Sequence, residues 1–159
     1  MSIKIGIGYD LHKLVAEREL FLGGVKIDFE KGLLGHSDGD VLLHTICDGL
    51  LGACGEGDIG MHFPDNNKEF KDIRSTELLK RTYDLLKEKH SLKIINIDTV
   101  VICDEPKLTN YRLDIKKAIS AILHINTDII NIKAKTTENT SIDTIAAYAA
   151  VLVEVSPKM

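Results

Sequence analysis

The order in which strand-like and helix-like segments follow one another constrains the fold more than any other feature of this sequence. Stretches that are rich in Ile and Val or alternate between apolar and polar residues are typical of strands. They take turns with stretches whose apolar residues recur every three or four positions, which are typical of helices. This alternation predicts a domain of the α/β or α+β class with a mixed sheet. Strands are predicted over 2–10, 92–104 and 128–137, and helices over 40–54, 75–90 and 108–123.

The segments between these elements are predicted to be turns and loops, with one ambiguous stretch. Gly23 and Gly24 separate two short apolar runs, a pattern that indicates a hairpin. Residues 31–40 and 56–70 are rich in Gly, Asp, Asn and Pro, which favour loops. Residues 145–155 contain many Ala, which favours a helix, but end in Val-rich sequence, which favours a strand.

Size, composition and charge exclude several classes of protein. With 159 residues and neither a linker nor a repeat, the chain is predicted to fold as one domain, 1–159. The net charge is −4 and no basic patch is interleaved with aromatic residues, so nucleic acid is not predicted as a partner. No membrane partner is predicted either, because no apolar run could span a bilayer and no signal peptide is recognisable. The cysteines are odd in number and scattered, which fits a reducing cytoplasm rather than a disulfide framework.

Asp10 and His12 are the first residues with evident chemistry. They lie two positions apart in strand-like sequence, so both side chains point to one face and can reach the same metal ion. His44 is a candidate third ligand, since it shares a helix face with Asp40 and Asp48, four residues to either side. A neighbouring acid can fix the tautomer of a metal-binding imidazole. Asp, His and His with one open position is a reasonable ligand set for catalytic zinc.

The spacing alone leaves another interpretation of His44 open, a half-buried histidine that is merely paired with an acid. Of the remaining histidines, His36 and His62 stand in predicted loops. His90 and His124 close predicted helices, where a cation is ordinary because of the helix dipole. The last two are therefore not predicted to bind metal.

Four further motifs each allow a functional and a structural interpretation. "HSDGD" at 36–40 carries a histidine and two acids, but it also suits a helix cap formed by one of the acids. "GDIGMHFPD" at 57–65 is by itself a turn-rich loop. Lys107, in "EPKL", could meet a phosphate or simply be exposed. "KTTE" at 135–138 could hold a phosphate with its divalent cation, or open a helix through a capping box.

Taken in order, these motifs resemble one protein family, the 2-C-methyl-D-erythritol 2,4-cyclodiphosphate synthases of the non-mevalonate isoprenoid pathway. The resemblance runs from about residue 4 to about residue 138, and the block over 32–65 is the most specific part. It is carried by "GYDLHKL", "LGGVKI", "KGLLGHSDGDVLLH", "LLGACGEGDIGMHFPD", "EPKL" and "KTTE".

The resemblance implies an enzyme, a phosphorus–oxygen lyase. The family converts 4-diphosphocytidyl-2-C-methyl-D-erythritol 2-phosphate into 2-C-methyl-D-erythritol 2,4-cyclodiphosphate and CMP. The 2-phosphate attacks the β-phosphorus and CMP leaves. Because the nucleophile is already a phosphate oxyanion, the reaction asks mainly for positioning and charge neutralisation, and the lack of an evident Ser-His-Asp or Cys-His array is consistent with that.

The resemblance also implies two metal sites. The residues matching Asp10, His12 and His44 bind Zn²⁺ or a similar divalent transition metal, which holds the β-phosphate. The residue matching Glu138 binds Mg²⁺ or Mn²⁺, which bridges the two phosphates of the CDP moiety. His36 and Thr136 match residues that are assigned catalytic roles in stabilising the transition state.

The substrate contacts are implied in the same way, with the methylerythritol phosphate held by the first half of the chain and the cytidine diphosphate by the second. The substrate-binding residues are implied to be Asp10, His12, His36, Ser37, Asp58, Ile59, Gly60, Phe63, Pro64, Asp65, Cys103, Pro106, Lys107, Thr136, Thr137 and Glu138. The implied fold is chorismate-mutase-like, a mixed sheet with helices on one side. The implied assembly is a homotrimer in the bacterial cytoplasm, with active sites between subunits.

The sequence departs from the family after Glu138. The family usually continues with a Gly-rich stretch that contains Phe and Arg, whereas this chain has a shorter segment, 139–155, without either residue. No binding of an isoprenoid diphosphate along the trimer axis is therefore carried over. Three other hypotheses are weighed: a metal-dependent phosphodiesterase that uses water, a catalytically weakened trimer that binds cytidine phosphates, and a structural zinc domain.

Overall fold

A five-stranded mixed sheet forms the centre of the computed structural model, which describes residues 2–158. The strand order is β4-β1-β7-β5-β6, and only the β5–β6 pair is parallel. A separate two-stranded hairpin, β2–β3, turns at Gly23 and Gly24 as predicted. The strands are β1 (Ser2–Ala16), β2 (Leu20–Leu22), β3 (Val25–Ile27), β4 (Lys31–Leu33), β5 (His90–Ile102), β6 (Ile130–Lys135) and β7 (Thr144–Pro157).

Four α-helices connect the strands. The helices are α1 (Val41–Cys54), α2 (Ile59–His62), α3 (Ser75–Lys89) and α4 (Arg112–Leu123), and short 3₁₀ turns lie at Lys68–Phe70 and Thr127–Ile129. Asp40 caps α1 by accepting a hydrogen bond from the Leu43 backbone N–H, and Gly55 ends the helix in a left-handed conformation. None of the helices within residues 2–158 combines the length and apolar character that a membrane crossing requires.

The three predicted helices and three predicted strands are all present, with shifted bounds. β1 extends six residues beyond the predicted end at residue 10, and α4 begins at Arg112 rather than at 108. The ambiguous stretch 145–155 is strand, because β7 is the central strand and pairs with a neighbour on both edges. The prediction of loop for all of 31–40 is wrong at Lys31–Leu33, which pairs with β1.

The helices cover one face of the sheet only, as predicted. Along β7, alternate residues from Ile145 to Val155 are buried against the helices. On the opposite face, β1 and β7 carry six large apolar side chains that are exposed, and we call this set the open face. It consists of Ile3, Ile5, Ile7, Tyr9, Leu11 and Tyr148.

Two glycines of β1 let α1 lie directly on the strand. A Cβ atom at Gly6 would stand 1.8 Å from the carbonyl oxygen of Gly49, and one at Gly8 would stand 2.0 Å from that of Thr45. No side chain fits in that space, so "GIG" is what allows the helix backbone to approach so closely. The approach brings His44, which precedes Thr45, against the strand that carries Asp10 and His12.

Candidate metal centre and substrate site

Asp10, His12 and His44 converge at the end of the α1–β1 contact. The carboxylate oxygen Oδ2 of Asp10 lies 2.9 Å from Nδ1 of His44 and 3.1 Å from Nε2 of His12. One ligand atom from each residue lies within 4.8 Å of the other two. The three side chains therefore form a group that can hold a metal ion, as the spacing of Asp10 and His12 predicts. We call this group the metal cluster.

The hydrogen bonds of His12 fix which ring nitrogen faces the carboxylate. Its Nδ1 lies 2.5 Å from the carbonyl oxygen of Leu34, which can only accept, so Nδ1 carries the proton. In a neutral ring Nε2 is then unprotonated and directs a lone pair at Oδ2 of Asp10. Two acceptors at this distance require a positive charge between them, either a second proton on the ring or a metal ion. The donor set thus fits a bound cation.

The pKa values of Asp10 and His12 also indicate that the cluster favours a positive charge beside the carboxylate. Burial of Asp10 is the largest influence on its carboxylate and opposes ionisation. The hydrogen bonds and charges of His12 and His44 together outweigh that burial and hold the pKa of Asp10 well below its usual range. The hydrogen bond to the Asp10 carboxylate in turn raises the pKa of His12 above its ordinary value, against the effect of burial. A divalent cation would satisfy the carboxylate without protonating the imidazoles.

The side chains of the acids that flank His44 on its helix do not hydrogen-bond to it; Asp40 meets it only through the backbone, where its carbonyl oxygen accepts from the His44 N–H at 3.1 Å. Asp40 is completely buried and accepts hydrogen bonds from the backbone N–H groups of Gly23 and Gly24 as well as from Leu43. Asp48 accepts a hydrogen bond from the Ile59 N–H at 2.8 Å. The prediction that one of these acids orients His44 is therefore wrong: Asp40 anchors the β2–β3 turn, and Asp48 anchors the loop that leads into α2.

The Nε2 atom of His44 is held by two serines instead. It lies 2.9 Å from Oγ of Ser75 and 3.2 Å from Oγ of Ser37. Ser75 is the first residue of α3, and no side-chain hydrogen bond caps that helix. Its hydroxyl points to His44 and to the carboxylate of Asp38. Nothing local in the sequence signals this contact, because 31 residues separate Ser75 from His44.

A cavity of about 280 Å³ opens over the metal cluster. It brings together most of the residues that the family resemblance assigns to the methylerythritol phosphate. Its apolar wall includes Phe70, Ile73 and Leu78, which sequence reasoning missed. The lining consists of Asp10, His12, Gly35, His36, Ser37, His44, Asp48, Ile59, Gly60, Phe63, Asp65, Phe70, Ile73 and Leu78.

Two predicted residues of this half contribute to the loop rather than to the cavity lining. Asp58 caps α2 by accepting a hydrogen bond from the Met61 N–H at 3.0 Å. Pro64 lies between Phe63 and Asp65, which do line the cavity. The Phe63 ring meets Phe70 edge to face, with centroids 5.2 Å apart. The segment 58–70 is thus held at its start by the hydrogen bond of Asp58 and at its end by the contact between Phe63 and Phe70.

His36 faces the cavity from the loop before α1. Its side chain is 70% exposed, and its Nε2 lies 3.9 Å from a carboxylate oxygen of Asp65. The loop itself is held from behind by Arg18, which donates to the carbonyl oxygens of Gly35 at 3.1 Å and Ser37 at 2.5 Å. An exposed imidazole on a fixed backbone is free to donate a hydrogen bond to a ligand.

The remaining predicted residues form a second group around Asp104, at the ends of β5 and β6. The Asp104 carboxylate accepts hydrogen bonds from the backbone N–H of Thr137, at 2.9 Å, and from its hydroxyl. Thr136 donates to the Glu138 carboxylate at 2.6 Å. Lys107 donates to the Asp104 carbonyl oxygen at 3.1 Å. We call the segments 103–107 and 136–138 the nucleotide turn.

Two predicted members of the nucleotide turn are buried, Thr137 is half-buried, and Lys107, Thr136 and Glu138 are exposed. Cys103 and Pro106 are buried, and the thiol of Cys103 contacts the Pro106 carbonyl oxygen at 3.6 Å. Burial raises the pKa of Cys103 to about 11, so the thiol stays protonated. The alternative of a capping box at "KTTE" is wrong, because turns, not a helix, follow β6.

The nucleotide turn does not line the cavity over the metal cluster. Both lie at the same end of the sheet, but the cluster is on β1 and the turn follows β5 and β6. Two strand spacings separate β1 from β5 and three separate it from β6, which amounts to roughly 10 and 14 Å. One chain therefore presents two half-sites.

The comparison with known proteins decides the family. The model of the YgbB family matches residues 3–154. The chain belongs to the YgbB family. A relative from Fusobacterium nucleatum is 51% identical over 156 residues, covering 96% of this chain and 97% of its own length. Another from Caldicellulosiruptor bescii is 51% identical over 154 residues, covering 94% and 98%. Both are named 2-C-methyl-D-erythritol 2,4-cyclodiphosphate synthase.

A solved structure of the family has the same fold. It is titled as a 2C-methyl-D-erythritol-2,4-cyclodiphosphate synthase in a CDP-bound form, and it matches with a TM-score of 0.90 at 34% identity. The match covers 95% of this chain and all of that one. The family predicted from the motifs is thus confirmed, as is the α+β class with a mixed sheet. The family match extends through the altered segment after Glu138.

Proposed function

We propose that this protein is a 2-C-methyl-D-erythritol 2,4-cyclodiphosphate synthase that supplies isoprenoid precursors in the bacterial cytoplasm. The observation that carries the proposal is the metal cluster, in which a ring nitrogen of each of two imidazoles lies 2.9 or 3.1 Å from one half-buried carboxylate. The cluster stands at the floor of a cavity of about 280 Å³, in a chain of the YgbB family. The names of the relatives point to the same activity.

The proposed reaction is an intramolecular phosphoryl transfer. An oxygen of the 2-phosphate forms a bond to the β-phosphorus of the diphosphate. The bond between that phosphorus and the oxygen bridging to the α-phosphorus breaks, and CMP leaves with the bridging oxygen. No water is consumed and no base is needed to create the nucleophile. The product is the cyclic diphosphate.

The work of the protein is then to bring two anionic phosphates together. Zn²⁺ at Asp10, His12 and His44, and Mg²⁺ or Mn²⁺ at Glu138, would supply the positive charge that offsets their repulsion. A single exposed carboxylate suits Mg²⁺, which commonly combines one or two protein carboxylates with substrate phosphates and water. Glu138 meets that description, since it is exposed at the tip of its turn.

His36 and Thr136 are proposed to donate hydrogen bonds where charge builds up on phosphate oxygens. His36 is exposed over the cavity, and Thr136 is exposed beside Glu138. A preorganised donor of this kind is worth about 3 kcal/mol in transition-state stabilisation. Ser37, Ile59, Gly60, Phe63 and Asp65 are proposed to hold the methylerythritol phosphate, together with Asp58 and Pro64 of the same loop. Cys103, Pro106, Lys107 and Thr137 are proposed to hold the cytidine diphosphate.

A homotrimer with sites between subunits would join the two half-sites. The open face leaves six large apolar side chains uncovered on one surface of the sheet, a patch of the kind that marks a protein–protein interface. Within one chain the nucleotide turn lies too far from the metal cluster to share its cavity. A neighbouring subunit packed on the open face could bring its own nucleotide turn to that cavity.

Phosphorus NMR of the purified protein with the CDP-methylerythritol 2-phosphate substrate, zinc and magnesium tests the activity. We expect CMP and a cyclic diphosphate, both abolished by a chelator. A linear product that carries two separate phosphates, with no diphosphate, would instead identify a phosphodiesterase that uses water. Binding of cytidine phosphates without turnover would identify a weakened binding protein.

Mixed assemblies test the sharing of sites. Differently tagged His44→Ala and Glu138→Ala chains are co-expressed, and assemblies carrying both tags are purified. If each site takes the metal cluster from one chain and Glu138 from the next, a trimer that carries both tags has one complete site in three, so it should show about a third of the wild-type activity. If each site lies within one chain, the mixture is as inactive as the two variants alone.

A further inference from the structure

We propose that Asp38 and Ser75 are positioning residues that fix the tautomer of His44, so that its Nδ1 stays unprotonated and faces the metal site. The proposal rests on the proposed metal role of His44 and adds the residues that prepare it. Neither residue belongs to the set that the family motifs assign to metal or substrate.

Asp38 acts only as an acceptor. Its side chain is 9% exposed, and three N–H groups donate to it: Arg74 Nε at 3.0 Å, Ser75 N at 3.1 Å and Asp40 N at 3.2 Å. The hydroxyl of Ser75 donates to the Oδ1 atom of the same carboxylate. Since the carboxylate has no proton to give, the single proton of that hydroxyl is committed to Asp38.

Because the hydroxyl proton of Ser75 is bonded to Asp38, it determines which ring nitrogen of His44 carries a proton. Ser75 Oγ lies 2.9 Å from His44 Nε2 and, with its own proton used, it can only accept there. Nε2 is therefore the protonated nitrogen. In the neutral ring Nδ1 is then left with a lone pair on the side of Asp10 Oδ2, 2.9 Å away, where a metal ion would satisfy both atoms. The chain of bonds from His44 through Ser75 to Asp38 thus selects the tautomer that a metal ion needs.

The fold holds this chain of bonds rigidly. Ser75 is completely buried at the first turn of α3. Arg74, beside it, pairs with Asp38 and lies over the ring of Phe21, with its guanidinium carbon 4.2 Å from the ring centroid. The connection therefore ties His44 on α1 to the start of α3 through the loop before α1. A hydrogen bond from the second ring nitrogen is the usual way in which proteins orient metal-binding histidines.

Replacement of Asp38 by Asn should reverse the proton order. The amide can donate to Ser75, whose hydroxyl would then donate to His44 Nε2 and leave the proton on Nδ1. ¹⁵N NMR of the metal-free protein at alkaline pH reports the tautomer directly. We expect His44 to carry its proton on Nε2 in the wild type and on Nδ1 in Asp38→Asn. Zinc affinity, measured by chelator competition, should fall ten- to a hundredfold in the variant.

Ser75→Ala and Asp40→Asn complete the test. Ser75→Ala should weaken zinc binding less than Asp38→Asn, because Ser37 Oγ remains 3.2 Å from Nε2 as an acceptor. Asp40→Asn alters another acid of the same loop, which is completely buried and whose side chain does not hydrogen-bond to His44, so its zinc affinity per folded protein should match the wild type.

The outcomes separate the two proposals. Unchanged zinc affinity and an unchanged His44 tautomer in Asp38→Asn would overturn the positioning role, and so would an equal loss of affinity in Asp40→Asn. If the wild-type protein bound no zinc at all, the proposed metal function would fail. The tautomer in the metal-free protein would still decide whether Asp38 and Ser75 set the state of His44.

Discussion

The metal cluster and the nucleotide turn are built in opposite ways. The cluster takes its residues from a strand and a helix whose backbones touch at Gly8 and Thr45, and its side chains hydrogen-bond to one another. The nucleotide turn takes its residues from the ends of two strands, and the carboxylate of Asp104 links its two segments. The first group has its geometry before any ligand binds, whereas Thr136, Glu138 and Lys107 remain exposed.

This difference explains how precisely each of the two groups positions its side chains. Side chains on regular elements with packed surroundings are held more precisely than side chains on turns. A metal site needs that precision within one chain, because its ligands must stand at fixed distances. The nucleotide turn can acquire its final geometry from the substrate and, if the proposed trimer forms, from the neighbouring subunit.

Removal of His44 should break the metal cluster with the largest effect on activity. His44→Ala should lose the bound zinc and reduce turnover by a factor on the order of 10³, because the metal contributes several kcal/mol of charge stabilisation. Most of the fold should remain, since the side chain is only partly buried. Elemental analysis and a turnover assay check this. His124→Asn, at the left-handed end of α4, is the matched control and should keep both zinc and activity. Full zinc occupancy in His44→Ala would contradict the ligand assignment.

The contact between α1 and β1 can be broken from the strand side. In Gly8→Ala the new Cβ would fall 2.0 Å from the Thr45 carbonyl oxygen, so the helix must move away from the strand. We expect the free energy of unfolding to fall by more than about 3 kcal/mol, beyond the usual cost of overpacking, and zinc affinity to fall with it because His44 moves. Urea unfolding and chelator competition measure the two effects.

Gly52→Ala is the control for that variant, because it adds the same methyl group on the helix side of the contact between α1 and β1. Its nearest neighbouring atom would be 3.9 Å away, an ordinary contact. Alanine also has the higher helix propensity, so the variant should be as stable as the wild type or more stable by up to about 1 kcal/mol. Equal stability of Gly8→Ala and Gly52→Ala would mean that the close approach does not hold the helix in place.

The sequence predicts the metal cluster better than it predicts what supports it. Asp10 and His12 are visible as a pair because the period of a strand is two, and His44 is visible because it stands in a well-marked helix. Asp38 and Ser75 are not visible, since they stand 37 positions apart and their contact depends on how α3 packs. The flanking acids Asp40 and Asp48 suggested the wrong partner for His44 because helix spacing says nothing about bonds to other elements.

The same limit applies to the strands. Residues 145–155 carry the propensities of both helix and strand, and only their place between β1 and β5 makes them strand. The three residues of β4 lie in Gly-rich sequence and become a strand by pairing with β1. Asp104 meets Thr137 because β5 and β6 run parallel with Ile102 opposite Lys135, a register that no local pattern encodes.

A charged residue on the open face should leave the metal cluster intact but reduce catalysis. Ile7 is 78% exposed in the single chain, so Ile7→Asp should change the stability of that chain by no more than about 0.5 kcal/mol. If the open face is the subunit interface, the variant should be monomeric by light scattering, retain its zinc and lose most of its activity. Leu113→Asp, on α4, adds the same charge at an exposed apolar site outside the open face and should remain assembled and active. An active, assembled Ile7→Asp would rule the open face out as the interface.

The smallest effect is expected at the exposed end of the nucleotide turn. Glu138→Gln keeps the shape of the side chain and its contact with Thr136 but removes the charge that is proposed to hold Mg²⁺. We expect turnover to fall about tenfold at saturating magnesium, equivalent to about 1.4 kcal/mol, and the magnesium concentration for half-maximal rate to rise. Zinc content should not change, because Glu138 is not one of the three residues of the metal cluster. Glu88→Gln, an exposed acid on α3, controls for the loss of one charge. A magnesium dependence identical to that of the wild type would show that Glu138 holds no metal, and the second cation would then have to be bound by the substrate phosphates alone.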